Sequence, residues 1–246
     1  RFDLPQHPSQ RDLKFLADIA REVLPEDPTP SLEEIQASPS VSHLGEPAFA
    51  PQRPSEPVRV VVSGDDRALG LVLTRLMRAD VMWVEVGYVP VDRQSPAAVM
   101  WGAGDAALAV EGAVRPMPCI RTDFGEVVAG SAELFTGDGS APYVGEVVVD
   151  SEVLVGGGEF GARLVPTVDA PGLVAVPFVS PLVLTRRFLR RQPVRRTDAS
   201  RVLAGRALQS GGEEIAVLID GIRRPRTVSR VTFYRHLRDI QSVREG

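Results

Sequence analysis

The distribution of apolar positions divides the chain into segments of two periods. Residues 58–62 are a short β-branched run of the kind that forms a buried parallel strand. The turn Ser63-Gly64-Asp65-Asp66 follows, and residues 68–78 then place Leu69, Val72, Leu73 and Leu76 at helical spacing. A second apolar run at 81–86 predicts the next strand, with a loop over 88–96. Residues 97–110 predict a helix interrupted near Gly102 and Gly104. This βαβα order predicts a parallel sheet with a right-handed crossover.

After Pro116 the helical period gives way to short β-rich runs separated by Gly, Pro and Asp. The runs lie at 119–121, 127–134, 145–149, 153–155, 162–165, 173–178, 215–219 and 228–234. That spacing predicts an antiparallel sandwich or barrel. Two stretches read as exceptions to the strand pattern: 182–191, a helix with Leu182, Leu184, Phe188 and Leu189 on its apolar side, and 199–207. Ahead of all this, residues 9–24 read as an amphipathic helix with Ser9 as cap and Leu13, Leu16, Ile19, Ala20 and Val23 on one stripe; Pro25 ends it. Residues 31–37 predict a second short helix, and the Pro-, Ser- and Glu-rich stretch 38–57 a linker over the surface. The expected class is α/β plus all-β. A helical extension and linker (1–57) precede a truncated parallel-sheet, nucleotide-binding-type domain (58–115), and an antiparallel β-sandwich domain (116–246) follows.

Composition narrows the chemistry. An apolar fraction of 43% in 246 residues is enough for a real core. No run approaches the ~18 apolar residues of a membrane-spanning helix, and the first residues have no apolar signal core. With the single Cys119, which has no partner for an internal disulfide, this fits a cytoplasmic protein. The net charge of -4 is unevenly spread: residues 1–57 carry ten acids against five bases, and residues 186–206 carry eight arginines against Asp198 alone. The basic stretch from Arg186 to Arg196 is either a solvated face or a peripheral contact for an anionic membrane. No helix-turn-helix, zinc-finger or RNA-binding signature accompanies it, so nucleic acid is not an expected partner. Lys14 is the only lysine and asparagine is absent, so no lysine beyond the first helix can meet a phosphate.

The turn after Val62 is the first candidate site. Its glycine lets backbone approach a phosphate, and the following helix offers free N–H groups. Asp65 falls at the carboxyl end of a parallel strand, where open α/β sheets hold ligands. It can help place Mg²⁺, or it can simply cap the helix, as can Asp66. His7, His43 and His236 have no metal-ligand spacing. Cys119 reads as a small buried hydrophobe, and Gly156-Gly157-Gly158 as a strand turn or an anion cradle.

Taken together, VVVSGDDRALGLVL, VMWVEVGYVP with VDRQSPAAVMWG, residues 152–156, PTVDAPGLVAV, and GGEEIAVLIDGIRR with VTFYRH resemble successive motifs of the diacylglycerol kinase-like lipid kinases and NAD kinases. The resemblance spans residues 58–240 in the family's order. It implies an α/β nucleotide domain followed by a β-sandwich, with ATP and Mg²⁺ between them and a lipid hydroxyl as phosphoryl acceptor. By the same resemblance Ser63, Gly64, Asp65, Asp66 and Arg67 are the nucleotide loop and Asp65 the metal residue. Asp220 and Gly221 match the family's Asp-Gly-Glu.

The departures from the family pattern are chemical. Where it reads Gly-Gly-Asp-Gly-Thr, Ser63 replaces the first Gly, Asp66 the Gly after the Asp, and Arg67 the Thr. A carboxylate at Asp66 facing polyphosphate would repel it unless a metal or Arg67 intervened. The family's Gly-Thr-Gly-Asn loop falls on Val91 to Ser95 and is not kept. Ile222 stands where the family carries its candidate general base, and an isoleucine accepts no proton. Glu213 and Glu214, one strand earlier, are either substitutes or a solvated strand entry. The family's opening strand, with its Asn-Pro and Ser-Gly turn, is not found. Losing several positioning and charge-stabilising groups together lowers phosphoryl transfer by orders of magnitude. The expectation is a kinase-like protein with impaired or lost catalysis, acting as a binding or regulatory module with a lipid or nucleotide ligand and a homo-oligomeric or protein partner. The alternative is an active ATP- and Mg²⁺-dependent lipid kinase.

Overall fold

The computed structural model describes residues 1–37, 45–187 and 190–245. The chain opens with turns over 10–13. Ser9 and Asp12 box each other here: the Ser9 N–H and hydroxyl both donate to Asp12 at 2.8 Å, and the Asp12 N–H donates to Ser9 Oγ. Helix α1 (Lys14–Val23) begins only after this box, later than the periodicity predicts, and buries Leu16, Ala17 and Ala20. Helix α2 (Leu32–Ala37) follows, with Ser31 and Glu34 boxed in the same way. Described residues of the expected linker are tied down. The Ala48 N–H donates to Asp239, the Ala50 N–H donates to Gln241, and buried Gln52 donates to Asp27 and Thr29.

The α/β order of the first lobe is as the apolar pattern predicts. Strand β1 (Arg59–Gly64) leads into α3 (Asp66–Arg78), then β2 (Glu85–Pro90), α4 (Pro96–Met100) and α5 (Ala106–Glu111). Strands β1 and β2 are parallel, with Val60 opposite Val86 and Val62 opposite Tyr88. These four side chains join Leu69, Leu73 and Leu76 of α3 and Leu13 and Leu16 in one apolar core. Helix α5 lies against the other sheet face so closely that a Cβ on Gly87 would come 2.3 Å from the Ala109 carbonyl oxygen.

Strand β3 (Val114–Met117) passes the chain to the second lobe, which is built of antiparallel ladders. In chain order these strands are β4 (Ile120–Thr122), β5 (Ala132–Thr136), β6 (Gly145–Val149), β7 (Glu152–Val155), β8 (Ala162–Pro166) and β9 (Leu173–Pro177). They continue with β10 (Val183–Arg187), β11 (Arg190–Val194), β12 (Leu203–Gly205), β13 (Ala207–Ile219), β14 (Ile222–Arg223) and β15 (Val228–Arg235). The main path runs β12-β9-β8-β5-β13-β15-β4. A register shift between Gly211 and Ile215, where Glu214 has φ +47°, bends β13. One end of β13 thereby pairs with β6 and the other with β5, and the ladders close over a second core that includes Leu134, Val147, Leu164, Leu208, Val217 and Phe233.

Strand β16 (Ile240–Val243) returns to the first lobe and inserts between β2, to which it is parallel, and β3, to which it is antiparallel. The first sheet is therefore mixed, in the order β1-β2-β16-β3. Two sequence expectations are corrected. The 182–191 stretch is no helix among the described residues: β10 and β11 form an antiparallel pair, with Val183 opposite Val194. Leu182 and Leu184 stand two apart, the period of a strand, while Leu184 and Phe188 stand four apart, the spacing of a helix. Residues 199–207, set apart from the strand pattern, contain strand β12. Asp198 Oδ1 takes the Ser200 N–H and hydroxyl in an Asx turn, and Leu203 pairs with Ala175 of β9. Of the predicted apolar side, Phe188 and Leu189 lie outside the described residues, as does His43. Among the described residues no helix is long and apolar enough to cross a membrane.

Candidate site at the junction of the lobes

Three aspartates from the singled-out motifs lie where the lobes meet. Asp65 is the N-cap of α3: its Oδ1 accepts the Ala68 N–H at 2.8 Å. Its Oδ2 accepts from Gln6 Nε2 at 3.0 Å and His7 Nε2 at 2.9 Å, so residues expected in an outlying extension reach the turn before α3. Burial raises the Asp65 carboxyl, but the donors at Ala68, His7 and Gln6 outweigh it and hold the group below its ordinary value.

Asp66 does not face outward towards a polyphosphate. The first turn of α3 points it into the lobe, where the residue is 8% exposed. Its Oδ1 accepts the Tyr88 hydroxyl at 2.9 Å and the Ser95 hydroxyl at 2.5 Å, and its Oδ2 accepts the Ala97 N–H at 3.0 Å. The expected repulsion is avoided because the extra carboxylate became an internal brace joining α3, β2 and α4. Burial and the Asp66 charge both raise the Tyr88 phenol, which stays a donor. The Val91 to Ser95 stretch serves the same brace. The Val91 N–H donates to the Gly64 carbonyl, and Ser95 caps α4 while donating to Asp66.

Asp220 and Gly221, with φ +50° and +79°, make the two-residue turn between β13 and β14. The Asp220 carboxylate turns back to accept the N–H groups of Ala129, Gly130 and Ser131 at 3.1, 2.8 and 3.1 Å. Burial nevertheless pushes this carboxyl up to about 7, against those donors, and the nearby Asp66 charge adds to the rise. Two glycines permit the junction. A Cβ on Gly130 would come 2.4 Å from Asp66 Oδ2, and one on Gly70 would come 2.6 Å from Asp220 Oδ2.

Each of the three carboxylates thus accepts three hydrogen bonds from protein donors. Mg²⁺ binds through one or two carboxylates plus waters, and a cation at Asp65 would have to displace Gln6 and His7. As arranged, the three acids do not fit a resident Mg²⁺. Among the described residues no cluster of three or more His, Cys, Asp or Glu is placed to hold a metal.

The remaining motif residues divide. Ser63 and Gly64 pair in the sheet with Val89 and Pro90. Arg67 turns to Glu126, at 3.9 Å, and Arg224 just beyond β14 reaches the same carboxylate at 3.6 Å. Glu126 therefore bridges the lobes through two ion pairs. No local pattern signals it, nor Gln6, His7 or Tyr88, whose partners are remote in the chain. Ile222 is 42% exposed. Glu213 and Glu214 are exposed at the β13 bend, far along the strand from the Asp220 turn. In the glycine run after β7 the Gly157 N–H donates to Glu159, which uses the proposed anion donor internally. Cys119 is fully buried, and burial pushes its thiol up to about 12. A separate concavity of about 700 Å³ lies on the outer face of the second lobe, between Glu146, Gln209, Arg230 and Tyr234.

No protein-family model and no curated protein matches the sequence. Solved structures do match. A candidate diacylglycerol kinase from Bacillus anthracis superposes with a TM-score of 0.50 at 10% identity, over 76% of this chain and 77% of that one. An NAD kinase from Archaeoglobus fulgidus, solved in complex with ATP, gives a TM-score of 0.46 at 11% identity, over 93% and 87% of the two chains. A yeast NADH kinase complexed with NADH gives 0.41 at 12%, over 76% and 62%. The α/β lobe, the antiparallel lobe after it and the returning last strand give this chain the diacylglycerol kinase/NAD kinase-like fold.

Proposed function

We propose that the chain is a diacylglycerol kinase-like protein that has lost ATP-dependent lipid phosphorylation and acts as a binding or regulatory module built on the kinase scaffold. One observation carries this reading: Asp65, Asp66 and Asp220 together accept nine hydrogen bonds from protein donors. Phosphoryl transfer depends on positioned charge and metal. These carboxylates instead hold the scaffold, and Ile222 supplies no base. The ligand of such a module is a nucleotide at Ser63 to Arg67 or a lipid at the junction.

The test is direct. The purified protein is incubated with Mg²⁺, γ-labelled ATP and vesicles carrying diacylglycerol or other lipid hydroxyls. No labelled lipid above background is the expected result, and steady accumulation of a phosphorylated lipid refutes the reading.

One observation favours the alternative, an active lipid kinase. Glu126 stands between Arg67 and Arg224 with ion pairs of 3.9 and 3.6 Å and no shorter side-chain hydrogen bond among the described residues. In an active enzyme it is the acid that would stand in for the family's glutamate. Labelled lipid formed by the unmodified protein and lost in Glu126→Gln would establish that reading.

A further inference from the structure

Strand β13 is bare at one point of its outer face. Leu208, Val231 and Phe233 point into the second core. By strand alternation Gln209, Gly211, Arg230, Thr232 and Tyr234 lie on the opposite side of the sheet. Gly211 sits in register between Glu146 of β6 and Arg230 of β15. Two strand spacings place those flanking residues about 10 Å apart. A Cβ added to Gly211 would meet no atom within 4 Å beyond its chain neighbours, and its φ is not positive. Glu146 and Arg230 make no ion pair among the described residues. The gap opens into the concavity of about 700 Å³ on this face, within the size range of small-ligand sites.

Tyr234 stands beside the gap. Arg121 of β4, opposite it on one side, lies over its ring at 5.2 Å from the centroid. Ala207, opposite it on the other side, is too small to cover the second ring face. The concavity therefore offers an aromatic face, carboxylates at Glu146 and Asp123, a guanidinium at Arg230, and an amide and a hydroxyl at Gln209 and Thr232. Unlike the junction aspartates, these polar ends are not taken up by protein partners among the described residues. Two acids against one arginine in the lining disfavour a polyphosphate, and one ring face with Val148 is too little apolar surface for a lipid tail. A neutral sugar matches what remains, with C–H groups for the ring and hydroxyls that both donate and accept. We propose that this face binds a neutral saccharide, with one sugar ring on Tyr234 and the hydroxyls of the adjoining unit held between Glu146 and Arg230 across Gly211. The site is apart from the junction of the lobes and does not rest on the reading of the three aspartates.

The test titrates the ¹⁵N-labelled protein with maltotriose, cellotriose and triacetylchitotriose, and separately with ATP and inorganic phosphate. At least one trisaccharide at millimolar concentration is expected to give saturable shifts of the Gly211, Thr232 and Tyr234 amides. Gly211→Val places a side chain suited to a strand in the empty gap. It is expected to keep the melting temperature and abolish those shifts. Tyr234→Ala is expected to weaken binding roughly fivefold, the worth of one stacked ring. No shift with any of the three sugars overturns the proposal, as does undiminished sugar binding by either variant. Saturable shifts of the same amides by ATP or phosphate and not by sugar also overturn it, and mark an anion site instead.

Discussion

The Tyr88 hydroxyl donates to Asp66 Oδ1 at 2.9 Å inside the first lobe, and that bond turns an apparent defect of the 63–67 turn into a structural part. A charged residue one position into a helix ordinarily faces solvent. Here β2 supplies a buried phenol and α4 a hydroxyl and a free N–H, so the Asp66 side chain finds its hydrogen-bond partners within the protein itself.

Removing the acceptor strands those donors. Asp66→Ala is expected to cost about 3 kcal/mol and Tyr88→Phe about 1.5 kcal/mol. Urea unfolding should show lower midpoints with unchanged slope. A midpoint for Asp66→Ala within error of the unmodified protein would mean that the brace is not formed in solution.

Gly130 is the second check on the same geometry. Its added Cβ would lie 2.4 Å from Asp66 Oδ2 and 2.9 Å from the Ala97 nitrogen, and the latter is backbone that cannot swing aside. Gly130→Ala should therefore destabilise by about 2–3 kcal/mol through overpacking, again read from the urea midpoint. Gly137→Ala, where no atom lies within 4 Å of the added carbon but φ is +55°, separates steric crowding from backbone strain.

Two buried groups give the stability–pH profile opposing slopes. The Asp220 carboxyl rises to about 7 from 3.8, so between those values the folded state keeps a proton that the unfolded chain has released. Its contribution is full at low pH and is lost as pH rises towards about 7. His236 is 3% exposed and its Nε2 has no hydrogen-bond partner among the described residues; burial first, then the charges of Arg121 and Arg238, lower it to about 4 from 6.5. Its contribution is full above about 6.5 and is lost as pH falls towards about 4. Thermal melts from pH 4 to 8 should show Asp220→Asn losing stability more steeply on the acid side than the unmodified protein. His236→Gln should instead show stability that declines with rising pH.

Restoring the missing glutamate alone should not restore transfer. Ile222→Glu adds a carboxylate on an edge strand at a 42% exposed position, while Asp65, Asp66 and Asp220 keep their nine protein donors. The variant should fold with an unchanged melting temperature and leave lipid unlabelled. Appearance of labelled phospholipid would show that only the base had been missing.

Much of the architecture was legible because it is local. The β1–α3–β2 order, α1's apolar stripe and most strands of the second lobe follow from periods of 3.6 and 2 within a few residues. Strand β16 was not legible. Ile240-Gln241-Ser242-Val243 carries two polar residues, and they are buried because Gln241 meets Ala48 and Ala50, and Ser242 meets the Arg115 carbonyl. The 182–191 stretch failed for the opposite reason: its apolar spacing satisfied two periods at once, and pairing with a neighbouring segment decided between them.

The candidate site divides along the same line. The sequence alone determined that aspartates stand at 65, 66 and 220, that 222 offers no base, and that the motifs run in a kinase-like order. Only the tertiary structure decided what those carboxylates do, because an aspartate's role depends on which donors surround it. Those donors come from residues 6, 7, 88, 95, 97 and 129–131, which no local pattern connects to them.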